Sequence, residues 1–271
     1  VNIPLPTITT ISPTSKPVGD PDFTLTVNGT GFIPTSVVNF NGSARTTTYV
    51  SDVQLTAQIL SSDLAVAGAF NITVTNPAPG GGTSNAQVLT VNNLVPLIIS
   101  TSPDSATAGN PGFTLTVNGS DFVFNSVVNF DGASKSTTYV SSTQLTAFIP
   151  ASDIVIAGTH SITVTNPAPG GGTSNAATFT VNNPLPTITT ISPTSKTVGD
   201  LDFTLTVNGT GFITSSTINI QGLGATTTFV SSTQLTTFIS PVPAAGNYNI
   251  TVVNPLPGGG TSNAATFTVN N

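Results

Sequence analysis

The chain of 271 residues contains no cysteine, methionine, tryptophan or glutamate, and only 5% of its residues are charged. Disulfides therefore play no part in the fold, and domains of about 90 residues can fold without them. Four basic residues, Lys16, Arg45, Lys135 and Lys196, are too few and too scattered for the electrostatic footprint that nucleic acid requires. The net charge of −6 is spread over the chain and forms no block, which excludes an acidic interaction tail.

Long apolar segments are missing as well. No apolar run approaches ~20 residues, so the sequence predicts no membrane span, and no signal-peptide pattern is present. Both ends of the chain read like junctions between repeats, since residues 1–6 resemble 181–186 and the chain closes on Val-Asn-Asn. We therefore expect further repeats or neighbouring subunits to adjoin it.

What the sequence does have is one pattern written three times. The segment Phe-Thr-Leu-Thr-Val-Asn-Gly recurs every 90 residues, and an Asn-Pro pair closes each copy; the segments begin at Phe23, Phe113 and Phe203. A unit of this length can bury its own core, unlike a shorter solenoid repeat. The period predicts three domains, at residues 1–93, 94–183 and 184–271.

Each repeat is patterned for short strands. Phe23, Leu25 and Val27 alternate with polar residues, which predicts a half-buried strand. Asn28-Gly29 and Asn41-Gly42 predict turns. Other short runs in the first repeat predict further strands at 7–11, 37–40, 46–50, 54–59, 70–75 and 88–91, and a helical turn at 61–66. The pattern indicates an all-β chain of three tandem immunoglobulin-like β-sandwich domains, each of about seven strands, arranged end to end.

A longer signature runs through each repeat. In the first it reads Pro-x-Ile-x-x-Ile-x-Pro from Pro6, a Gly turn at Gly19, the segment from Phe23, and Asn-Ile-Thr-Val-Thr-Asn-Pro from Asn71 before a Gly-rich loop and Thr-Ser-Asn. This pattern resembles the IPT/TIG family of immunoglobulin-like domains over nearly the whole chain. DNA-contacting members of that family use basic loops, which are absent here. The resemblance therefore implies the type found in bacterial surface proteins, where tandem units form stalks and adhesin shafts.

No set of residues indicates catalysis. His160 is the only histidine, and its equivalents in the other repeats are Phe70 and Tyr248. A position shared by Phe, His and Tyr predicts a packing site for a flat ring. A serine-histidine-acid site needs one base held by one acid, and nothing marks such a set. We expect no enzyme activity, no catalytic residue and no cofactor-binding residue.

Two turns are rich in carboxylates. Asp20 and Asp22 occupy one turn of the first repeat, and Asp200 and Asp202 occupy the equivalent turn of the third. Calcium binds six to eight oxygen atoms, several from carboxylates, so these four residues are weak calcium candidates. The alternative is a turn in which Asp side chains bond nearby backbone amides. No other metal or cofactor is predicted.

The sequence also contains glycosylation motifs and Gly-rich loops. Six Asn-x-Ser/Thr motifs predict exposed acceptors if the protein is secreted and its host glycosylates, namely Asn28, Asn41, Asn71, Asn118, Asn208 and Asn249. The Pro-x-Pro-Gly-Gly-Gly loops lack the Lys-Ser or Lys-Thr of a phosphate loop. We expect them to join the last strands of each sandwich, with ligand binding at their tips as the alternative.

The overall pattern favours an extended structural protein. The linkers at 91–96 and 181–186 are short and carry proline, which predicts stiffness. Each unit is expected to be about 35–40 Å long, so three in line span about 110 Å. We expect an extracellular or cell-surface rod, either a stalk or a filament subunit that self-associates through its low charge and exposed strand edges. The alternatives are an adhesin that binds glycan or calcium, and a non-catalytic spacer of a carbohydrate-active enzyme.

Overall fold

The computed structural model describes residues 2–271 and consists of strands, turns and two 3₁₀ helices. The first unit contains ten strands and one 3₁₀ helix at Ser61–Leu64. Its strands are β1 Thr7–Ser12, β2 Ser15–Pro17, β3 Phe23–Thr30, β4 Val37–Phe40, β5 Ser43–Ala44, β6 Thr47–Ser51, β7 Gln54–Ile59, β8 Gly68–Asn76, β9 Gly82–Thr83 and β10 Gln87–Asn92.

The second and third units repeat this order. The second unit has a 3₁₀ helix at Ala151–Ile154 and the strands β11 Leu97–Ser102, β12 Ser105–Thr107, β13 Phe113–Ser120, β14 Val127–Phe130, β15 Ala133–Ser134, β16 Thr137–Ser141, β17 Gln144–Ile149, β18 Gly158–Asn166, β19 Gly172–Thr173 and β20 Ala177–Asn182. The third has β21 Thr187–Ser192, β22 Ser195–Thr197, β23 Phe203–Thr210, β24 Thr217–Ile220, β25 Leu223–Gly224, β26 Thr227–Ser231, β27 Gln234–Ile239, β28 Gly246–Asn254, β29 Gly260–Thr261 and β30 Ala265–Asn270.

In each unit the strands form two sheets. The first unit has one sheet of order β1-β3-β7-β6 and a second of order β2-β10-β8-β4-β5, with β9 added to β8. Every pairing is antiparallel except β2 with β10, which is parallel. The first segment of each unit thus contributes to both sheets. The prediction of tandem immunoglobulin-like sandwiches is confirmed.

The two sheets enclose a separate core in each unit. Alternate residues of β3 and β7 point inward, and Leu25, Val27 and Leu55 are fully buried. They pack in one cluster with residues of the opposite sheet such as Ile72 and Leu89. Equivalent clusters occupy the second and third units. The period-two alternation of the sequence is therefore the alternation between core and solvent.

The predicted turn at Asn28-Gly29 is wrong. Both residues lie inside β3, and Gly29 is buried beside β1. A Cβ on Gly29 would lie 1.9 Å from the carbonyl oxygen of Thr7 and 2.6 Å from the Phe32 ring. Glycine is needed here because another backbone approaches closely, at a point where β1 carries an irregularity in its register. The equivalent pairs at Asn118 and Asn208 also lie inside strands.

The predicted turn at Asn41-Gly42 is confirmed. The two residues have φ of 47° and 84° and connect β4 to β5, as expected for an Asn-Gly hairpin. The helical turn predicted at 61–66 is also present, as the 3₁₀ helix Ser61–Leu64. Within residues 2–271, no helix has the length and apolar character needed to cross a bilayer.

Candidate functional site

The most organised polar site lies at the junction between units. Asn92 is the last residue of β10 in the first unit, whereas Asn93 bonds to the loop after β18 in the second. The Asn93 N–H donates to the carbonyl of Pro169 (2.8 Å), its carbonyl accepts from the Gly171 N–H (2.8 Å), and its side-chain amide donates to the carbonyl of Pro167 (2.9 Å). Consecutive residues thus belong to the hydrogen-bond networks of different units.

Asn183 makes the same arrangement between the second and third units. Its N–H donates to the carbonyl of Pro257 (2.8 Å), its carbonyl accepts from Gly259 (2.9 Å), and its side chain donates to the carbonyl of Pro255 (2.9 Å). We call this the junction clamp, defined by Asn93 with residues 167–171 and by Asn183 with residues 255–259. The sequence analysis missed it, although the recurring Asn-Asn at each linker was a usable signal.

The Gly-rich loop of the first unit is covered by residues near the start of the chain. Ile3 donates to the carbonyl of Pro79 (3.2 Å) and accepts from the Gly81 N–H (2.7 Å). Ile3 has no side-chain amide, so the third bond of the junction clamp has no counterpart here. The asparagine side chain is therefore a feature of the two junctions between units.

The glycines of these loops are required by the junction. Gly170 has φ of 66°, and a Cβ there would lie 2.5 Å from the Cβ of Asn92 and 2.7 Å from the carbonyl oxygen of Asn93. An L side chain would therefore meet the linker as well as being strained. The loops do join the last strands of each sandwich, as predicted, but they face the linker at close range.

A buried asparagine ties each loop to its own unit. Asn166, 2% exposed, donates to the carbonyls of Leu94 (2.9 Å) and Asp121 (2.6 Å) and accepts from the Ser126 hydroxyl (2.6 Å). Asn76 and Asn254 make equivalent bonds in the other units. The buried amide is satisfied at both ends, which makes it costly to replace. The Asn-Pro pair noted in the sequence is thus the base of the junction loop.

A cleft of about 470 Å³ lies beside the first junction. Val66 of the first unit and Phe124, Tyr139 and Pro169 of the second line it, together with Asn93. Phe124 is 81% exposed, and its ring meets Tyr139 edge-on with 6.2 Å between centroids. The equivalents of Phe124 are Pro34 and Thr214, so this pair of rings occurs in the second unit alone. No ionisable side chain other than Tyr139 lines the cleft.

All four basic side chains lie within 4.0 Å of an aspartate. The nitrogen-oxygen distances are 3.1 Å for Lys16–Asp20, 2.5 Å for Lys135–Asp153 and 4.0 Å for Lys196–Asp200, and Arg45 binds Asp63 through both of its carboxylate oxygens. Each cation also lies over a phenylalanine ring, as Arg45 does over Phe40 at 5.5 Å. The positive charges are therefore used in stabilising the units.

The aspartates proposed for calcium all have protein partners. Asp20 pairs with Lys16, and Asp200 accepts the Thr197 N–H (2.9 Å). Asp22 accepts the Ser61 N–H at 2.7 Å, and this hydrogen bond lowers the pKa of the Asp22 carboxyl. Asp202 accepts the Ser240 hydroxyl (2.6 Å). Residues 2–271 contain no group of three acidic, His or Cys side chains suited to a metal. Calcium binding stays a prediction, and an ion would compete with these bonds.

His160 occupies a packing position, as its equivalents predicted. Its ring packs against Phe130 at a tilt of 31° with 4.9 Å between centroids, and Nδ1 lies 2.6 Å from Asp131. The pKa of the Asp131 carboxyl is lowered, first by the hydrogen bond from the Ser161 N–H (2.8 Å) and then by His160. The acid partner is a feature that the sequence analysis did not identify.

The glycosylation motifs divide into two structural groups. Asn41, Asn71 and Asn249 are exposed, whereas Asn28, Asn118 and Asn208 are half-buried in strands. The Asn28 amide donates to the Thr10 hydroxyl (3.1 Å) and accepts from Gln54 (2.9 Å). Asn118 and Asn208 make equivalent bonds. The expectation that these three are exposed acceptors is therefore corrected, because their amides are already paired.

Together the sheets and the junction clamps define a tandem immunoglobulin-like repeat protein. The chain belongs to the IPT/TIG family: the model of the IPT/TIG domain matches residues 6–91, 96–181 and 186–269. The family resemblance read from the sequence is confirmed. The sequence matches no curated protein at a significant level.

The chain is similar to several solved structures. A four-domain ectodomain fragment of ICAM-5 (D1–D4) is 14% identical, with 97% of this chain and 75% of that chain covered and a TM-score of 0.50. The Yersinia pseudotuberculosis adhesin InvE is 17% identical, with 62% and 57% covered and a TM-score of 0.38. A 1.5-MDa bacterial ice-binding adhesin is 18% identical, with 100% and 99% covered and a TM-score of 0.28. The similarity to the ICAM-5 fragment concerns the fold alone, and the expectation of no enzyme activity stays a prediction.

Proposed function

We propose that the chain is an extracellular structural protein, a rod-like stalk or filament subunit whose immunoglobulin-like units are coupled in series. The junction clamp is the observation that supports this function most directly. Because Asn92 belongs to a strand of one unit and Asn93 bonds to the next, no free residue separates the two units, and the close approach of Gly170 to Asn92 leaves little room for rotation between them. Such a connection suits a stiff spacer and differs from a flexible linker.

The chemistry of the surface supports lateral contact. The outward positions of β3 and β7 carry Thr and Asn or Thr and Gln, and the basic groups are already matched with aspartates. Little charge repulsion therefore opposes the approach of one chain to another. The extracellular placement is part of the proposal and draws on the kinship with surface-protein repeats.

Electron microscopy of the native material, with and without a calcium chelator, tests this function. Filaments with a repeat near about 110 Å, or a multiple of it, are expected for an assembly subunit, and isolated rods of this length for a stalk. Compact particles with units folded back on one another would contradict both. Loss of order on chelation would show that the assembly needs a divalent ion, for which the Asp20 and Asp200 turns are the candidate sites.

The cleft beside the first junction favours a second candidate function, the binding of a neutral glycan. An exposed aromatic ring next to another ring, with amide and carbonyl groups at the rim, offers both the apolar face and the hydrogen bonds that a sugar uses. The lack of charge around Phe124 disfavours ionic ligands. We favour the cleft, which includes Pro169 of the second unit's loop, over a loop tip alone as the glycan site, because the linker already bonds to the loop at each junction.

A glycan array compares the wild type with Phe124→Thr, which installs the residue of the third unit at this position. Binding that is lost in this variant supports the cleft. The matched control is Phe238→Gln, which replaces another exposed ring by the residue of the first unit at the equivalent position, Gln58. Equal loss in both variants, or no bound glycan, would contradict the second function.

A further inference from the structure

The chain contains four Asn-Gly pairs with the same local sequence chemistry but two different structural settings. Three of them, Asn28, Asn118 and Asn208 with the glycines that follow, lie in strands, and the fourth is the exposed turn Asn41-Gly42. We propose that Asn41-Gly42 is a site of spontaneous deamidation in the folded protein. The three pairs in strands are protected by the fold.

The reaction needs only the chain and water. The backbone nitrogen of Gly42 loses its proton and attacks the side-chain carbonyl carbon of Asn41, and the side-chain nitrogen leaves as ammonia. Water then opens the resulting succinimide at either carbonyl, which gives aspartate or isoaspartate. Glycine favours the attack because it has no Cβ to obstruct its own nitrogen and has a wide choice of backbone angles.

The turn leaves these groups available. Asn41 is exposed, and among residues 2–271 neither its side-chain amide nor the N–H of Gly42 has a hydrogen-bond partner. A Cβ built on Gly42 meets nothing within 4 Å, so the space around the turn is open. Neither reacting group therefore has to give up a hydrogen bond before the attack.

In the three Asn-Gly pairs that lie in strands, both residues are hydrogen-bonded or closely packed. The Gly29 N–H donates to the carbonyl of Val53 (2.9 Å), and the Asn28 side chain is bonded to Thr10 and Gln54. The carbonyl of Thr7 fills the space beside Gly29. The same bonds occur in the second and third units, where the glycine N–H groups donate to Thr143 and Thr233. Attack at these pairs requires the strand to open first.

The second unit shows how an aspartate, one product of the reaction, fits in this turn. Its turn has Asp131 at the position of Asn41, with φ of 48° against 47°. The Asp131 carboxylate accepts the Ser161 N–H at 2.8 Å without disturbing the hairpin. An aspartate at position 41 can therefore be accommodated, and it adds a negative charge to a chain whose net charge is −6.

The test uses the full chain made in a host that does not glycosylate asparagine, held folded in mildly alkaline buffer. Peptide mapping by mass spectrometry follows the four sites over time. Conversion at Asn41 is expected to be at least about tenfold faster than at the strand pairs, since those open only by local unfolding. In denaturant the four rates should become similar. If Asn41 in the folded chain is converted no faster than the three asparagines in strands, the proposal is overturned.

Two glycine variants sharpen this test. Gly42→Ala is expected to slow conversion at Asn41 and leave the other three sites unchanged. Its matched control is Gly132→Ala, the equivalent turn position of the second unit, where φ is 80° and the space is also open. That control should leave the rate at Asn41 as in the wild type. If both variants slow the conversion of Asn41 equally, the proposed attack by the Gly42 nitrogen is contradicted.

Discussion

The third unit differs from the first two on one flank of the sandwich. In the first unit Arg45 lies over Phe40 and binds Asp63 of the 3₁₀ helix; in the second Lys135, Phe130 and Asp153 do the same. The equivalents in the third unit are Ala225, Ile220 and a helix-free segment at 240–243. The cation, the ring and the acid are thus all replaced together, as expected for parts that work only as a set.

The core beneath that flank is also less complete in the third unit. Leu64 and Ile154 are fully buried, whereas their counterpart Val242 is only partly buried. Thr237 replaces Ala57 and Ala147 at a buried position, and its hydroxyl has no hydrogen-bond partner within residues 2–271. The units therefore share the residues that join them but differ in the residues that stabilise each one. We expect the third unit to be the least stable.

The largest effect is expected from removing the acid on the flank of the first unit. Asp63→Ala leaves Arg45 half-buried without its partner and also removes the acceptor for the Leu60 N–H, so we expect a loss of about 2–3 kcal/mol. Hydrogen exchange with mass spectrometry, resolved by unit, measures it. Asp52→Ala, at an exposed position, is the control. If the first unit is as well protected from hydrogen exchange in Asp63→Ala as in this control, the stabilising role of Asp63 is contradicted.

The opposite change is expected in the third unit. Thr237→Ala installs the residue of the other units and removes a buried unpaired hydroxyl, which should stabilise the third unit by about 1 kcal/mol. The same exchange experiment measures this gain. Thr236→Ala, one residue away and facing the other side of the sheet, should not stabilise it. A destabilised Thr237→Ala variant would show that the hydroxyl has a favourable role.

The smallest effect concerns pH in the second unit. The lowered pKa of Asp131 means that its carboxylate stabilises the folded state above the unfolded pKa of about 4. This contribution is lost as pH falls through the lower, folded pKa. Asp131→Asn should therefore weaken second-unit protection at neutral pH and match the wild type in strong acid. A difference that persists in strong acid would point to a cause other than charge.

The strands were predictable from alternation, but the contacts between distant segments were not. The alternation of apolar and polar residues from Phe23 to Val27 and from Phe70 to Val74 indicated directly which face of each strand points to the core. The parallel strand Ser15–Pro17 was missed, because three residues carry no periodic signal and their partner lies at Thr90. Asn28-Gly29 was wrongly predicted to be a turn. Glycine is required there because the backbone of another strand approaches closely, and the local sequence does not show that contact.

The candidate site shows the same limit. The Gly-rich loops were visible in the sequence, but their partner Asn93 lies 74 residues before Pro167. Composition cannot tell a loop that faces solvent from one that faces a linker. The packing role of His160 was predictable by comparing repeats, whereas its acid partner was not, because Asp131 has no acidic equivalent in the other units.

The most direct test of the central claim is small-angle X-ray scattering of the full chain carrying Gly170→Ala and Gly258→Ala. Both substitutions place a Cβ about 2.5 Å from an asparagine Cβ of the linker, so they should open the junction clamps. The matched control is Gly109→Ala with Gly199→Ala, which has similar φ but open space around each glycine. Hydrogen exchange confirms that the units remain folded. The account predicts a broadened distribution of end-to-end distances in the first variant alone; equal flexibility in both would contradict it.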